Sequence, residues 1–201
     1  MKRKHSKHAT TAKRRQQIIQ AALACFIKTG VTDTSIADIC KLAEASIGSV
    51  YHHFKSKEQL AASVYLEGIR NYQKGYLAEL ENCDNPRDGI TAVVHYHLWW
   101  VIDHPDWSRY LFKERHAAFM GRAEEEFNRL NHTFMRQASS WFREHIETGK
   151  LKKLPPDIFT SILMGPCLEF ARHYLFGQAR SNPEEAAQKI SQAIWQALKN
   201  S

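Results

Sequence analysis

Residues Ser46 to Leu60 read SIGSVYHHFKSKEQL. An ordinary helix of this length would carry leucine, alanine and glutamate; this one carries serines, a glycine, a tyrosine and two histidines. Ile47, Val50 and Phe54 recur at helical spacing, so the stretch predicts a short helix over Ser46 to His53, anchored by Val50 and Phe54 to a small core. The residues between the anchors are small or planar and polar. Such side chains reach base edges and phosphates over short distances, and a glycine lets the backbone come close. The pattern therefore predicts a helix that lies in a groove of DNA.

The flanking sequence supplies the rest of such a motif. Upstream, Thr34 or Ser35 can cap a second helix that carries Ile36, Ile39, Cys40 and Ala43 on one face and ends near Ala43. Before it, Ile19, Ala22, Leu23 and Phe26 predict a first helix from about Ala12 to Thr29, stopped at Gly30. Two short helices joined by a tight turn and packed by a third make a helix-turn-helix. Downstream, Ser56 and Gln59 read as a capping box that starts a long helix to about Leu80.

Charge separates this region from the remainder. Met1 to Lys57 holds eleven Lys/Arg and three Asp/Glu, a local charge of +8, while the other 17 Lys/Arg face 18 Asp/Glu and leave −1. The whole excess sits in the first quarter of the chain, which points to a polyanionic partner. The arm residues Lys2, Arg3, Lys4 and Lys7 are expected to add phosphate or minor-groove contacts. Met1 to Thr32 has no acidic residue, as a transit peptide would not, but it runs straight into a structural helix. The longest run without Asp, Glu, Lys or Arg, Gly89 to Ile102, is too short for a bilayer, so no membrane segment is expected. Cys25, Cys40, Cys83 and Cys167 form no C-x-x-C pair and read as reduced thiols of a cytoplasmic protein.

The chain beyond Leu80 reads as further helices. Pro86 is placed as the first residue of one that includes Thr91 to Ile102, a β-branched and aromatic segment taken as helix because no second strand exists to pair with it. His104-Pro105-Asp106 is a break, followed by helices over Trp107 to Glu114, Ala123 to Glu147 and Asp157 to Gly177. The last helix opens at Asn182-Pro183-Glu184, with Ala186, Ile190, Ala193, Ile194 and Ala197 on one stripe. These two C-terminal helices carry more apolar surface than one core contact needs, which suits a symmetry mate. The fold expected is all-α, with about nine helices: a three-helix head over 1–57 and a larger helical domain over 58–201.

The run Thr34 to Ile39, then Ala43 to Phe54, then Lys55 to Leu60 resembles the N-terminal signature of the TetR/AcrR family of bacterial transcriptional regulators, with about 45 residues agreeing in order and spacing. The resemblance implies a homodimeric repressor that dimerises through its two C-terminal helices. Its heads would bind a palindromic DNA operator until a small-molecule effector, held in the larger domain, changes their spacing. The family's usual glycine in the interhelical turn is Glu44 here, so a position suited to positive φ would carry a side chain.

Ser46, Ile47, Gly48, Ser49 and His52 are the candidates for the groove. Tyr51, Lys57, Thr34 and Ser35 are the candidates for phosphates. His53 is expected to pack inside the head. Between His95 and Phe142 lie eleven of the 22 aromatic residues. An apolar effector is expected among Trp100, Trp107, Phe119 and Phe134, with His97, Tyr110 or Arg115 giving a polar contact. No cofactor is expected. Glu169 and His173 at i, i+4 read as a surface pair rather than a metal site, and no catalytic triad or phosphate loop is visible, which argues against an enzyme. An all-helical metal-binding protein or enzyme would retain metal on purification, and a non-specific nucleic-acid module would bind without sequence preference.

Overall fold

The computed structural model describes residues 2–115 and 117–200, with the side chains of 2–10 and 122 outside that description. Among the described residues there are nine α-helices, one 3-10 helix and no strand: α1 Lys2–Asp33, α2 Ile36–Ala43, α3 Ile47–His53, α4 Lys57–Glu81, α5 Pro86–Asp103, α6 Pro105–Glu114, a 3-10 helix Ala118–Arg122, α7 Glu124–Glu147, α8 Pro156–Leu175 and α9 Pro183–Leu198. The β-branched stretch Thr91 to Ile102 is helical, within α5. None of the described helices is long and apolar enough to cross a membrane. All four cysteines are free thiols.

The chain forms two compact units, residues Met1–Ile69 with Asp106–Asn128 and Arg70–Pro105 with Arg129–Ser201. The first therefore takes in 58–69 and 106–128 besides the residues 1–57 read as the head.

In the first unit α1 packs on α2 and α3. Ile18, Ile19, Ala22, Leu23 and Phe26 of α1, Ile39 and Cys40 of α2, and Val50 and Phe54 at α3 are buried together with Leu60, Val64 and Tyr110. The anchors expected from spacing, Val50 and Phe54, are 0% and 2% exposed. The stop expected at Gly30 is a kink: Gly30 adopts φ 84°, ψ 162°, a backbone open to glycine, and one further turn follows to Asp33. Tyr110 donates its hydroxyl to the Ala61 carbonyl at 3.0 Å and its ring lies over Phe26 with centroids 5.9 Å apart.

Local chemistry sets the helix starts. Ser35 caps α2 and Ser46 caps α3, each accepting a backbone N–H three residues on. At α4, Ser56 accepts from Gln59 N at 3.1 Å as a capping box requires. The return bond differs by one residue, because the Gln59 carbonyl takes the N–H of Lys55 at 2.6 Å.

In the second unit α5 packs on α8 and α9, which pack on each other. Ile90, Val93, Val94 and Leu98 meet a core that includes Leu163, Cys167, Ala171, Ala187, Ile194 and Leu198, all buried. Asn85 with Pro86 starts α5 and Asn182 with Pro183 starts α9, both asparagine side chains accepting a backbone N–H. The segment after α7 ties down the C-terminus, with Lys152 N donating to Leu198 O at 2.8 Å and Asn200 N to Lys150 O at 3.1 Å.

Candidate nucleic-acid interface and ligand cavity

The interhelical turn positions α3. Glu44 ends α2 in the left-handed region at φ 48°, ψ 45°, a conformation that costs a residue with a Cβ about 1–2 kcal/mol. Two groups hold it there. The N–H of Ala45 bonds back to Cys40 O at 3.0 Å, and Arg14, reaching from α1, donates to the carbonyls of Ala43 and Glu44 at 3.2 and 3.3 Å. Arg14 has no signal in the local sequence, because its partners lie some thirty positions away.

Most of the expected DNA-contacting residues share the surface of α3. Ser46, Ile47, Gly48, Tyr51 and His52 are exposed and Ser49 is half-buried. The Ser46 hydroxyl accepts from Ser49 N at 3.1 Å, leaving its own proton free to donate. A Cβ built on Gly48 would meet only Ser46 Oγ, at 3.9 Å, so nothing in the head's own packing requires a glycine there. His53 is half-buried beside the Phe54 ring, and burial, then the charge of His52, hold its imidazole below the ordinary value. Arg15 sits over the same Phe54 ring, its guanidinium 5.3 Å from the ring centre.

Three expected phosphate contacts are placed differently from one another. Ser35 is exposed at the start of α2, but its hydroxyl donates to the Asp38 carboxylate at 2.6 Å, and that bond lowers the Asp38 pKa. Asp38 in turn takes the Ser35 N–H at 3.1 Å, a reciprocal capping box. The S-x-x-D spacing carried that signal. Thr34 is buried at 2% exposure, its hydroxyl donating to Gly30 O at 2.6 Å; its side chain is held inside the head rather than presented to a partner. Lys57 donates from Nζ to Thr32 O at 2.6 Å and Thr34 O at 2.9 Å, bracing the corner between α1 and α2 with two of its three protons. The side chains of Lys2, Arg3, Lys4 and Lys7 lie outside the described residues.

The expected effector residues are divided between the two units. Trp107, Tyr110, Arg115 and Phe119 belong to the first unit and His97, Trp100 and Phe134 to the second. Tyr110 is a core residue, and Trp100 is buried with its indole N–H on Asn71 at 2.8 Å. Arg115 is exposed and Phe119 and Trp107 are half-buried. A count of aromatic residues along the sequence cannot see that successive helix faces turn toward different cores.

The second unit does hold a cavity of about 330 Å³, and of the seven expected residues Phe134 lines it. The other walls come from Tyr72 and Tyr76 of α4, Ala138 and Phe142 of α7, and Phe159 and Leu163 of α8, with Ser139, Thr160 and Arg143 as further polar groups. Among the described residues that line it, Arg143 is the one that carries a charge. His97 lies behind this wall: the Tyr72 hydroxyl and His97 Nδ1 are 2.8 Å apart. Burial pushes the His97 imidazole down to about 4, so it is neutral, and its Nε2 has no hydrogen-bond partner among the described residues. Tyr72 and Tyr76 were invisible to the sequence reading because α4 reads as an ordinary amphipathic helix.

Elsewhere, Glu169 bonds both Arg172 and His173 on the surface of α8. Among the described residues no group of three or more His, Cys, Asp or Glu is placed to hold a metal ion.

Residues 18–64 match the family model described as bacterial regulatory proteins, tetR family. The chain is similar to the HTH-type transcriptional repressor KstR2 of Mycolicibacterium smegmatis, 32% identical over 99 residues, 45% of this chain and 48% of that protein. The match thus spans about half of that relative's length. It is also similar to the HTH-type transcriptional regulator LuxR of Vibrio harveyi, 23% identical over 87% of this chain and 82% of that protein. Among solved structures, a TetR family transcription regulator from Marinobacter aquaeolei VT8 superposes with TM-score 0.77 over 98% of this chain and 100% of that one, at 17% identity, a likeness of fold.

Proposed function

We propose that this chain, which belongs to the TetR/AcrR family of bacterial transcriptional regulators, is a sequence-specific DNA-binding repressor and not an enzyme. The observation that carries the reading is the α3 surface: Ser46, Ile47, Gly48, Tyr51 and His52 all face solvent while Val50 and Phe54 hold the helix to its core. The charge of +8 over the first 57 residues supports a polyanionic partner. Ser46, Ile47, Gly48, Ser49 and His52 would read base edges, and Tyr51 and the exposed cap of α2 at Ser35 would contact phosphate. Lys57 would act chiefly by shaping the corner at Thr34, with one proton left for phosphate.

Residues 1–57 serve as the DNA-binding head and 58–201 as the effector-binding and dimerisation region. A small, largely apolar effector occupies the 330 Å³ cavity of the second unit and releases the operator. The protein acts in the cytoplasm as a homodimer through α8 and α9. Ile158, Leu168 and Tyr174 of α8 and the adjoining Phe176 are exposed apolar side chains, and Ala193 and Ala197 of α9 face solvent, which supports that interface.

The test is fluorescence anisotropy on DNA from upstream of the protein's own gene against scrambled DNA, at low and physiological salt. Discrimination of about 10³ or more is expected. Binding that is equally weak on both DNAs and vanishes together with rising salt, followed by an unbiased selection that recovers no preferred sequence, would overturn it.

A further inference from the structure

Three large apolar side chains are exposed in the first unit among the described residues, Leu42 at 56%, Ile47 at 55% and Tyr51 at 49%, and all three lie on α2 and α3. Tyr51 carries a hydroxyl that suits a phosphate. Ile47 has no polar atom, yet it opens the first turn of α3, the part of such a helix that comes closest to base edges. No packing role explains it, since the anchors of α3 are Val50 and Phe54. Next to it stands Gly48, where an added Cβ would meet only Ser46 Oγ, at 3.9 Å.

An isoleucine in that place has little to offer a phosphate, a sugar hydroxyl or a polar base edge. The major groove presents one apolar group, the C5 methyl of thymine. We propose that Ile47 is a specificity-determining residue that packs on a thymine methyl in each operator half-site, with the side-chain-free Gly48 letting α3 approach closely enough for the contact. The inference rests on the DNA-binding reading above and adds to it a required base. The neighbouring Ser46 hydroxyl proton, free to donate, would sit on an acceptor of the same or the adjoining base pair.

The experiment removes the methyl and nothing else. The preferred site is obtained by selection from random DNA with the full-length protein, and each thymine is replaced in turn by deoxyuridine, which keeps every hydrogen-bonding group. Wild type is expected to lose about fourfold in affinity per half-site at one thymine, the factor for exposing one methyl-sized group. Ile47→Ser should bind thymine and deoxyuridine forms of that site equally, and Ile47→Val should retain the preference. Because Ile47 is exposed, the unfolding midpoints of both variants should match wild type. A selected half-site without thymine, no thymine whose methyl matters, or a deoxyuridine penalty that persists in Ile47→Ser overturns the assignment while leaving sequence-specific binding intact. Failure to select any sequence is a distinct result and defeats the DNA-reading function itself.

Discussion

Arg14 and Glu44, thirty positions apart, meet where the guanidinium donates to the Glu44 carbonyl at 3.3 Å. The contact lies at the one non-glycine residue of positive φ among the described residues, so a strained turn and its brace come from distant parts of the chain. Substituting Glu44→Gly should relieve the left-handed backbone and stabilise the protein by about 1 kcal/mol, less a few tenths for the freer unfolded chain. Arg14→Ala should lower stability by about 1 kcal/mol by removing the brace. Urea unfolding midpoints of the two variants check both signs; a lower midpoint for Glu44→Gly would show that the glutamate side chain contributes something the turn geometry does not.

The residues around α3 should separate by role. Tyr51→Ala should weaken binding to operator and random DNA alike without changing the unfolding midpoint, because its ring is exposed. Ser49→Ala and His52→Ala should change which sequence is preferred. Lys57→Ala should lose both DNA affinity and about 1 kcal/mol of stability, since its ammonium bonds two carbonyls of the head. Anisotropy on both DNAs, paired with unfolding curves, distinguishes the three outcomes; equal losses on both DNAs for all four variants would undo the division.

Filling the cavity should abolish ligand binding and spare DNA binding. Leu163→Trp places a bulky indole where the cavity wall has an isobutyl group, so the fluorescence enhancement of anilinonaphthalene sulfonate expected with wild type should disappear while operator affinity stays within about twofold. Phe119→Ala, in the other unit, should leave the dye signal unchanged. A dye signal that survives Leu163→Trp and falls with Phe119→Ala would place the effector site in the first unit.

His97 should make stability depend on acid. Its folded pKa, about 4, lies below the ordinary 6.5 because burial disfavours the charged ring. The unfolded chain therefore binds the extra proton first. The stability contribution is fully present above pH 6.5 and declines as pH falls towards 4, by about 3 kcal/mol at 1.36 kcal/mol per unit. His97→Phe should flatten the unfolding free energy between these limits by roughly one proton's slope. An unchanged slope in that variant would mean that other groups carry the acid sensitivity.

The head was legible in the sequence because its information is local. The i, i+3, i+7 spacing of Ile47, Val50 and Phe54 predicted α3, and of the two residues offered as the cap of α2, Thr34 and Ser35, Ser35 takes that place; Ser46, read as a groove residue, also caps α3. Even there, Thr34 and Lys57 could not be placed: the Thr34 hydroxyl turns inward to the Gly30 carbonyl and the half-buried Lys57 bonds the Thr32 and Thr34 carbonyls, contacts that depend on how the Gly30 kink folds the chain back. The 3-10 helix at Ala118–Arg122 had no expectation behind it.

Periodicity and capping, which act over one or two turns, determined by sequence alone that the chain is helical, that its first part holds a helix-turn-helix, and that Val50 and Phe54 anchor α3. Tertiary packing decided the cavity. Tyr72, Phe134, Phe142 and Leu163 meet around it from three helices, whereas Tyr110 and Trp107, equally aromatic, pack in another unit. Residue type sets how strongly a side chain leaves water, but which neighbours it finds depends on contacts between helices far apart in sequence.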